Sequence, residues 1–433
     1  MFLWYNEEDI EPVDFAPVSD TLQFVSKGIF AVKRIISQDL STQIKCTLVH
    51  SLFWASYCAY SSFIVTMLTD YGYSSATATA MMTATSVLSF IAQPVSGYIC
   101  DNYIPHKWVY IILTICAIPT MVLMPHLLFS PVLTMISMLL FTVFMVQMPG
   151  LLDAWVIGLT NLHPHMNYGI SRGSSSLAFA IAAQVMGGLT AVYGHGMRCW
   201  VGAALGLLSV IVAFMLEPLP CRRSQEAKVE NKPVKSGLST AETVSRLVKN
   251  HAYILLLLMS FLLFMCTSCF SSFIPVLTQE LGGGSGEVGT VFALTALSEV
   301  PAMFLMASIL RKVPAKKVIV LAGLFYLLRL SLTAVAPNYI VMLLVQMFQG
   351  LSFAVIWPAS MAYLNQIMDY EVRSTAIMTF SSVTLGISGI FGNAIGTAVL
   401  AATNVRMVFV FASVSAGVGL ALGLYGLVRR IWK

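Results

Sequence analysis

The chain has 433 residues, of which 58% are hydrophobic and only 10% charged, and its net charge is +5. A soluble domain of this length needs no such apolar excess for its core, so that class is excluded. Long apolar runs without period-two alternation exclude a β-barrel and point to helices of ~20 residues crossing a hydrocarbon core about 30 Å thick.

Residues 1–45 open acidic (Glu7, Glu8, Asp9, Glu11, Asp14) and lack the basic start, apolar core and cleavage site of a signal peptide. They read as a cytoplasmic tail, solvated, with a weakly amphipathic stretch from Leu22 to Ile36 able to lie on the membrane surface. Apolar spans follow at about 46–69, 76–100, 107–125, 131–158, 173–193 and 197–216, making a first six-helix half over 46–216. The interval 217–250, rich in Lys, Arg, Glu, Pro and Ser, reads as a cytoplasmic linker. Six more spans, at about 251–277, 287–310, 316–335, 338–364, 375–401 and 407–428, make a second half over 251–428, and 429–433 is a short C-terminus. The expected fold is therefore an all-α polytopic membrane protein of twelve helices in two pseudo-symmetric halves.

All but three of the 24 Lys and Arg fall on one side of this scheme; Arg198 and Arg406 fall in connections on the other, and Arg329 falls inside the ninth span. Cytoplasmic connections gather Lys and Arg, so both termini are expected in the cytoplasm, with the protein in the cell (inner) membrane. The positive charge thus reports topology, and no nucleic-acid partner is inferred from it. The partners expected are a small-molecule solute and the lipid bilayer, with a monomer as the working unit.

The halves resemble each other. Ser61-Ser62-Phe63-Ile64 recurs as Ser271-Ser272-Phe273-Ile274, and Gly169-Ile170-Ser171-Arg172 is answered by Tyr370-Glu371-Val372-Arg373. Parallel repeats of six helices place a solute site between them near the bilayer midplane.

Ionisable groups deep in a span cost roughly 2.5–3.5 kcal/mol on insertion scales and normally face a cavity or a partner. Asp153, Glu299 and Arg329 stand out, and Arg172 lies at the start of the fifth span. Glu299 and Arg329 could form an interhelical pair that only fixes packing, and Arg172 could snorkel to the surface; a solute or ion pathway is the functional reading. Thr79, Thr83, Ser86 and Gln93 follow helical spacing in the second span, as do Thr267 and Ser271 in the seventh, and Gln346 and Gln349 lie three apart in the tenth. Gly386, Gly389, Gly392 and Gly396, with Gly187 and Gly188, would let helices approach closely. The eight cysteines are scattered without ligand spacing, Cys266 and Cys269 reading as packing, and no metal or other cofactor is expected. Gly282-Gly283-Gly284-Ser285-Gly286 lacks a following Lys and reads as a turn. H-E-x-x-H does not occur, and Gly169-Ile170-Ser171-Arg172-Gly173, though it matches G-x-S-x-G, stands before an apolar span instead of on a turn from strand to helix, so no enzyme is expected.

Four stretches together resemble the lactose-permease-like branch of the major facilitator superfamily, which includes sugar, nucleoside and phenylpropionate proton symporters. Gln93-Pro94-Val95-Ser96-Gly97-Tyr98-Ile99-Cys100-Asp101 is similar to the branch's second helix and G-x-x-x-D loop, which implies a conformational latch at Gly97 and Asp101; the basic residues that normally follow are thinned to Lys107. Asp153, Tyr168-Gly169-Ile170-Ser171-Arg172 and Phe179 resemble the sugar permeases' acid, arginine and stacking aromatic, with Phe replacing Trp. Ser298-Glu299-Val300 and Leu328-Arg329-Leu330 resemble the Glu and Arg that link solute binding to proton movement. Val345-Gln346-Met347-Phe348-Gln349 resembles the tenth-helix motif, with glutamine where the branch has a His and a proton-carrying Glu.

The resemblance implies alternating-access transport of a sugar or oligosaccharide with a proton as coupling ion. The solute would sit between Asp153, Arg172 and Phe179 on one side and Gln346 and Gln349 on the other, with Glu299 and Arg329 coupling it to the proton. Sugar hydroxyls donate to a carboxylate and accept from a guanidinium while the ring rests on an aromatic. A nucleoside fits about as well; an aromatic acid would meet repulsion from Asp153. Glutamine cannot titrate, so a proton would be carried by Glu299 or Asp153, and without one the chain would be a facilitator. A non-transporting sensor of the same fold is the rival from another class.

Overall fold

In a computed structural model, residues 18–163, 165–219 and 240–432 are described; the first 17 residues of the tail and 220–239 of the linker lie outside them. Every regular element among the described residues is helical. Among the described residues eleven helices are long and apolar enough to cross a membrane. One of them, Tyr168–Phe214, has 47 residues, about 70 Å of helix at 1.5 Å per residue and twice what a bilayer core requires. It turns back at Gly194, whose φ of 78° lies in the left-handed region open to glycine. Counting its two arms as the fifth and sixth spans, twelve spans result, in agreement with the apolar runs.

The first span, Asp39–Asp70, continues a helix that begins at Val18, so the described part of the tail is helical. The others are Ser75–Cys100, His106–Leu127, Pro131–Leu162, the two arms of Tyr168–Phe214, His251–Glu280, Ser285–Met306, Ala315–Ala334, Tyr339–Ile367, Ala376–Ala402 and Val405–Val428. Their starts are marked by local chemistry. Ser74, Asn167, Asn250, Asn338 and Asn404 each accept a hydrogen bond from a first-turn amide, a cap worth about 1 kcal/mol, and the third and ninth spans follow Pro105 and Pro314. Between the halves, Thr240–Lys249 forms a short helix with Arg246 paired to Glu242 at 2.9 Å.

Four spans depart from regular helix. The first breaks at Ser62 and Phe63, the fourth widens to a π-turn over Thr142–Val146, the tenth tightens to 3-10 over Gln346–Leu351, and the eleventh widens over Ser382–Ile387. Such irregular backbone is tolerated at membrane depth where protein or a wet cavity surrounds it.

The halves meet where the fifth span packs on the eighth and the second on the eleventh. Gly187 and Gly289 form the first crossing: a Cβ on Gly187 would lie 2.9 Å from the Gly289 Cα. Gly392 likewise brings the eleventh span against the seventh, where an added Cβ would lie 2.6 Å from the Met265 carbonyl oxygen. Gly188 faces open space. Cys266 and Cys269 donate to the Ala412 and Gly392 carbonyls at 3.1 and 3.2 Å, which ties neighbouring helices together.

Candidate solute pathway

A cavity of about 610 Å³ lies between the halves, within the range that small-molecule sites occupy. It runs from Ile64 and Asn393 to Cys100 and His106 at the end of the bundle that bears the linker. Its aromatic side is Trp54, Tyr57 and Tyr60 of the first span; spacings of three residues put the three on one helix face. Its polar side includes Ser86 and Gln93 of the second span and Thr267 and Ser271 of the seventh, all on the stripes noted in the sequence. Thr79 and Thr83 do not line it; their hydroxyls bond to their own helix. Among the described residues that line it there is no Asp, Glu, Lys or Arg.

Asn393 joins the halves across this cavity. Its Nδ2 donates to Ser86 Oγ at 2.9 Å, and its Oδ1 accepts from Ser272 Oγ at 2.7 Å. Sequence reading missed Asn393 because one amide among glycines carries no periodic signal. It also missed Trp54 and Tyr57, although their spacing was a usable signal.

The charged residues stand behind the walls. In the second half, the 3-10 segment of the tenth span sets three residues per turn, so Gln346 and Gln349 project from one face. Both glutamines accept from Arg329, Gln346 Oε1 from Nε at 2.9 Å and Gln349 Oε1 from Nη1. Gln349 Nε2 then donates to Glu299 Oε1 at 2.9 Å, and Gln346 Nε2 donates to Thr333 Oγ1 at 3.1 Å and the Met342 carbonyl at 2.9 Å. Glu299 and Arg329 therefore make no direct ion pair; an amide stands between them. An amide suits that place because its oxygen accepts from the cation while its nitrogen donates to the anion. Arg329 is 1% exposed and its guanidinium lies 4.0 Å from the Phe270 ring centroid, a contact that strengthens when desolvated. The cluster is fixed in depth by Gly350, whose N–H donates to Ser298 Oγ at 3.1 Å and whose Cα faces the Ser298 carbonyl too closely for a Cβ.

In the first half, Arg172 lies 4.8 Å from the Trp54 ring centroid and donates to Ser175 Oγ at 3.0 Å. Phe179 meets Trp54 edge-on at 6.2 Å, so Trp54 stands between these two residues and the cavity. Asp153, with 30% of its side chain exposed, lies 3.6 Å from His50 and faces Tyr168 and Arg172. Glu299 of the eighth span faces Ser176 and Arg172 of the fifth, so the two charged groups look at each other across the seam between the halves.

Of the two residues that the resemblance assigns to a latch, Gly97 lines the cavity near the linker end, with no side-chain contact that a Cβ would disturb. Asp101 ends the same helix, and its side chain lies outside the described residues. Lys107, the basic residue of that loop, is buried and donates to the Phe214 and Leu216 carbonyls at 2.8 and 2.7 Å, closing the C-terminus of the sixth span.

At the opposite end the halves are tied. Thr69 Oγ1 and Gln279 Nε2 lie 3.0 Å apart, and Asp70 reaches Gln279 and Ser285 at 3.5 Å. Asp70 also holds His195 at 2.8 Å, and His195 Nδ1 lies 3.0 Å from Arg198. Arg198, assigned to a connection by the sequence, is fully buried in the sixth span and donates to the Ala59 carbonyl beside the break in the first span. The span break frees carbonyls from the helix ladder, and a guanidinium with five donors can satisfy them. Arg406, its counterpart in the twelfth span, pairs with Glu280 at 3.0 Å.

Twelve spans in two like halves, a central cavity and charges held behind its walls make up the architecture of the major facilitator fold. The chain belongs to the MFS_1 like family, whose sequence profile matches residues 43–411. It is 26% identical over 254 residues to the maltose permease of Geobacillus stearothermophilus, covering 58% of this chain and 61% of that protein. It is 21% identical over 260 residues to the uncharacterised transporter YwbF of Bacillus subtilis (strain 168), covering 60% and 62%. The match thus spans about three fifths of the length of these curated relatives. Among solved structures, the nucleoside transporter NupG aligns with a TM-score of 0.70 at 16% identity, over 90% of this chain and all of that one. A POT family transporter in complex with 5-aminolevulinic acid aligns with a TM-score of 0.68 at 12% identity, over 90% and 96%. At these identities the likeness is one of fold.

Proposed function

We propose that this chain moves a sugar or oligosaccharide across the cytoplasmic membrane by alternating access, with proton symport. The observation that carries the reading is the wall of the cavity: aromatic on one side, hydroxyl and amide on the other, with no Asp, Glu, Lys or Arg among the described residues that line it. A neutral polyhydroxylated solute suits such a wall, its ring face resting on Trp54 and Tyr57 and its hydroxyls meeting Ser86, Gln93, Ser271 and Asn393. The matched maltose permease supports the sugar class. A nucleoside is the second reading, because a flat base stacks on the same aromatics.

Alternating access is supported by the asymmetry of the two ends. The cavity reaches the linker end, while the far end is held by Thr69, Asp70, Gln279 and Ser285. In the opposite state those contacts would part and the linker end would close, with Gly97 and Asp101 as the latch. Arg172 and Glu299, facing each other across the seam, would separate or approach as the halves rock, and Asp153, Arg172 and Phe179 act on the solute through Trp54 in the present state. Proton coupling is assigned to Glu299, because a carboxylate can titrate where Gln346 and Gln349 cannot. Gln349, itself held by Arg329, holds that carboxylate until the solute or the conformation draws it away. The Lys and Arg distribution supports cytoplasmic termini and a cytoplasmic linker.

The test is uptake into vesicles carrying the full chain, with interior pH recorded while maltose and uridine are added separately. Maltose uptake accompanied by proton movement, with the proton movement lost in Glu299→Gln, is the expected result. Uptake without proton movement would make the protein a facilitator, and wild-type vesicles inert to both solutes would sink the solute class. Trp54→Ala should raise KM for maltose at least tenfold, while Trp54→Phe keeps a ring face and most of the affinity.

A further inference from the structure

His50 is a buried titratable group that neither the resemblance nor the mechanism above uses. It lies in the first span with 0% exposure. Its Nε2 is 3.6 Å from Asp153 Oδ1 of the fourth span, and neither ring nitrogen nor that oxygen has a hydrogen-bond partner among the described residues. Among the described residues the groups facing it are Asp153 and the Leu152 backbone from the fourth span, with Tyr168, edge-on at 6.3 Å, and Arg172 from the fifth. Trp54, one turn along on the same face, carries Arg172 against its ring and lines the cavity.

This arrangement is neither of the two usual ones. A packing histidine bonds its ring nitrogens, as buried polar groups nearly always do. A structural ion pair closes to about 2.8 Å; here the pair stands open at 3.6 Å, with both His50 nitrogens and Asp153 Oδ1 unsatisfied while Tyr168 hydrogen-bonds the carboxylate. The geometry points to His50 and Asp153 as a shared proton site in the first half, additional to Glu299. With the proton bound, imidazolium and carboxylate attract and close the gap, and Arg172 is left without the carboxylate. With the proton released to the aqueous cavity, the imidazole is neutral and the Asp153 carboxylate turns to Arg172. Only a proton is exchanged with water, and no other bond changes. Since Arg172 rests on Trp54, the change reaches the wall where the solute lies.

The inference rests on the transporter reading, and two measurements keep the failure of one apart from the failure of the other. The first needs no solute: the full chain, with histidine labelled by ¹⁵N, is titrated in lipid nanodiscs and followed by NMR. One histidine signal, absent in His50→Gln, is expected to titrate and to move its midpoint by about one pH unit or more in Asp153→Asn. A His50 signal that stays neutral throughout and ignores Asp153→Asn would overturn the proposal. The second uses maltose in vesicles, or uridine if only that is taken up. His50→Gln and His50→Asn are expected to lose accumulation driven by a pH gradient while keeping solute exchange at equal pH. If both variants keep both activities, or lose both while folded, the group is not a proton site. If the wild type transports neither solute, the functional reading fails, and the titration still decides the shared proton.

Discussion

At the residue scale, Gln349 is the position that most repays attention, because one side chain satisfies opposite charges. Truncation in Gln349→Ala leaves a buried carboxylate and a buried guanidinium donor without their partner, a loss of roughly 1–3 kcal/mol, to be read as lower thermal stability in detergent. Gln349→Glu tests the amide itself. Its carboxylate can still accept from Arg329 but cannot donate to Glu299, so two like charges face each other. The folded state then takes up a proton that the unfolded chain releases at neutral pH, and stability should rise as pH falls. A melting temperature of this variant that is flat with pH, or that falls as acid is added, would refute the role of the amide between the two charges. Both glutamines and both charges stand out in the sequence as polar residues within apolar runs. Their connection does not, since the i, i+3 spacing of Gln346 and Gln349 fits an α-helical face as well as a 3-10 one.

At the element scale, the irregular segments of the fourth, tenth and eleventh spans supply residues to the cavity or to the charge cluster behind it, and the break in the first span lies between the lining residues Ser61 and Ile64. A regular helix over Thr142–Val146 would turn the residues after it, Gln147 among them, to another face. The tenth span's tightened segment is held against the eighth by Gly350, whereas Gly188 in the fifth span meets nothing. Gly350→Ala should therefore destabilise the protein by about 1–3 kcal/mol, the usual cost of overpacking, and disturb transport. Gly188→Ala should be neutral or slightly stabilising, since alanine is the better helix former. Equal melting temperatures for the two variants would show that the close approach of the eighth and tenth spans does not matter. Glycines of this kind are visible as small residues in the sequence, yet Gly187 and Gly188 are indistinguishable there; only the crossing with Gly289 separates them.

At the scale of the whole molecule, the twofold likeness of the halves has a physical counterpart at the closed end. Thr69 and Gln279, separated by the same 210 positions as the Ser-Ser-Phe-Ile repeat, bond to each other. Asp70 and Glu280, the carboxylates one residue further on, are tied to His195 and Arg406 at the heads of the sixth and twelfth spans. Opening that end requires the halves to part at these residues. Thr69→Cys combined with Gln279→Cys should cross-link under oxidation and stop solute exchange, with recovery on reduction. Full exchange in the cross-linked protein would mean that this end does not open during transport.

Composition and apolar period by themselves determined that the chain crosses a membrane about twelve times, because the hydrocarbon core admits only helices of a set length and imposes that length on the sequence. The Lys and Arg distribution, the linker and the internal repeat likewise follow from local residue order. What only the tertiary structure decided was which charges meet. Arg198 is placed in a connection by apolar length alone and in a buried network once the chain folds back at Gly194. Glu299 and Arg329 are joined through an amide from a third helix, and His50 faces Asp153 from a span where nothing in the sequence marks it. Lateral helix packing sets these contacts, and the rotation and depth of each helix depend on its neighbours more than on its own residues.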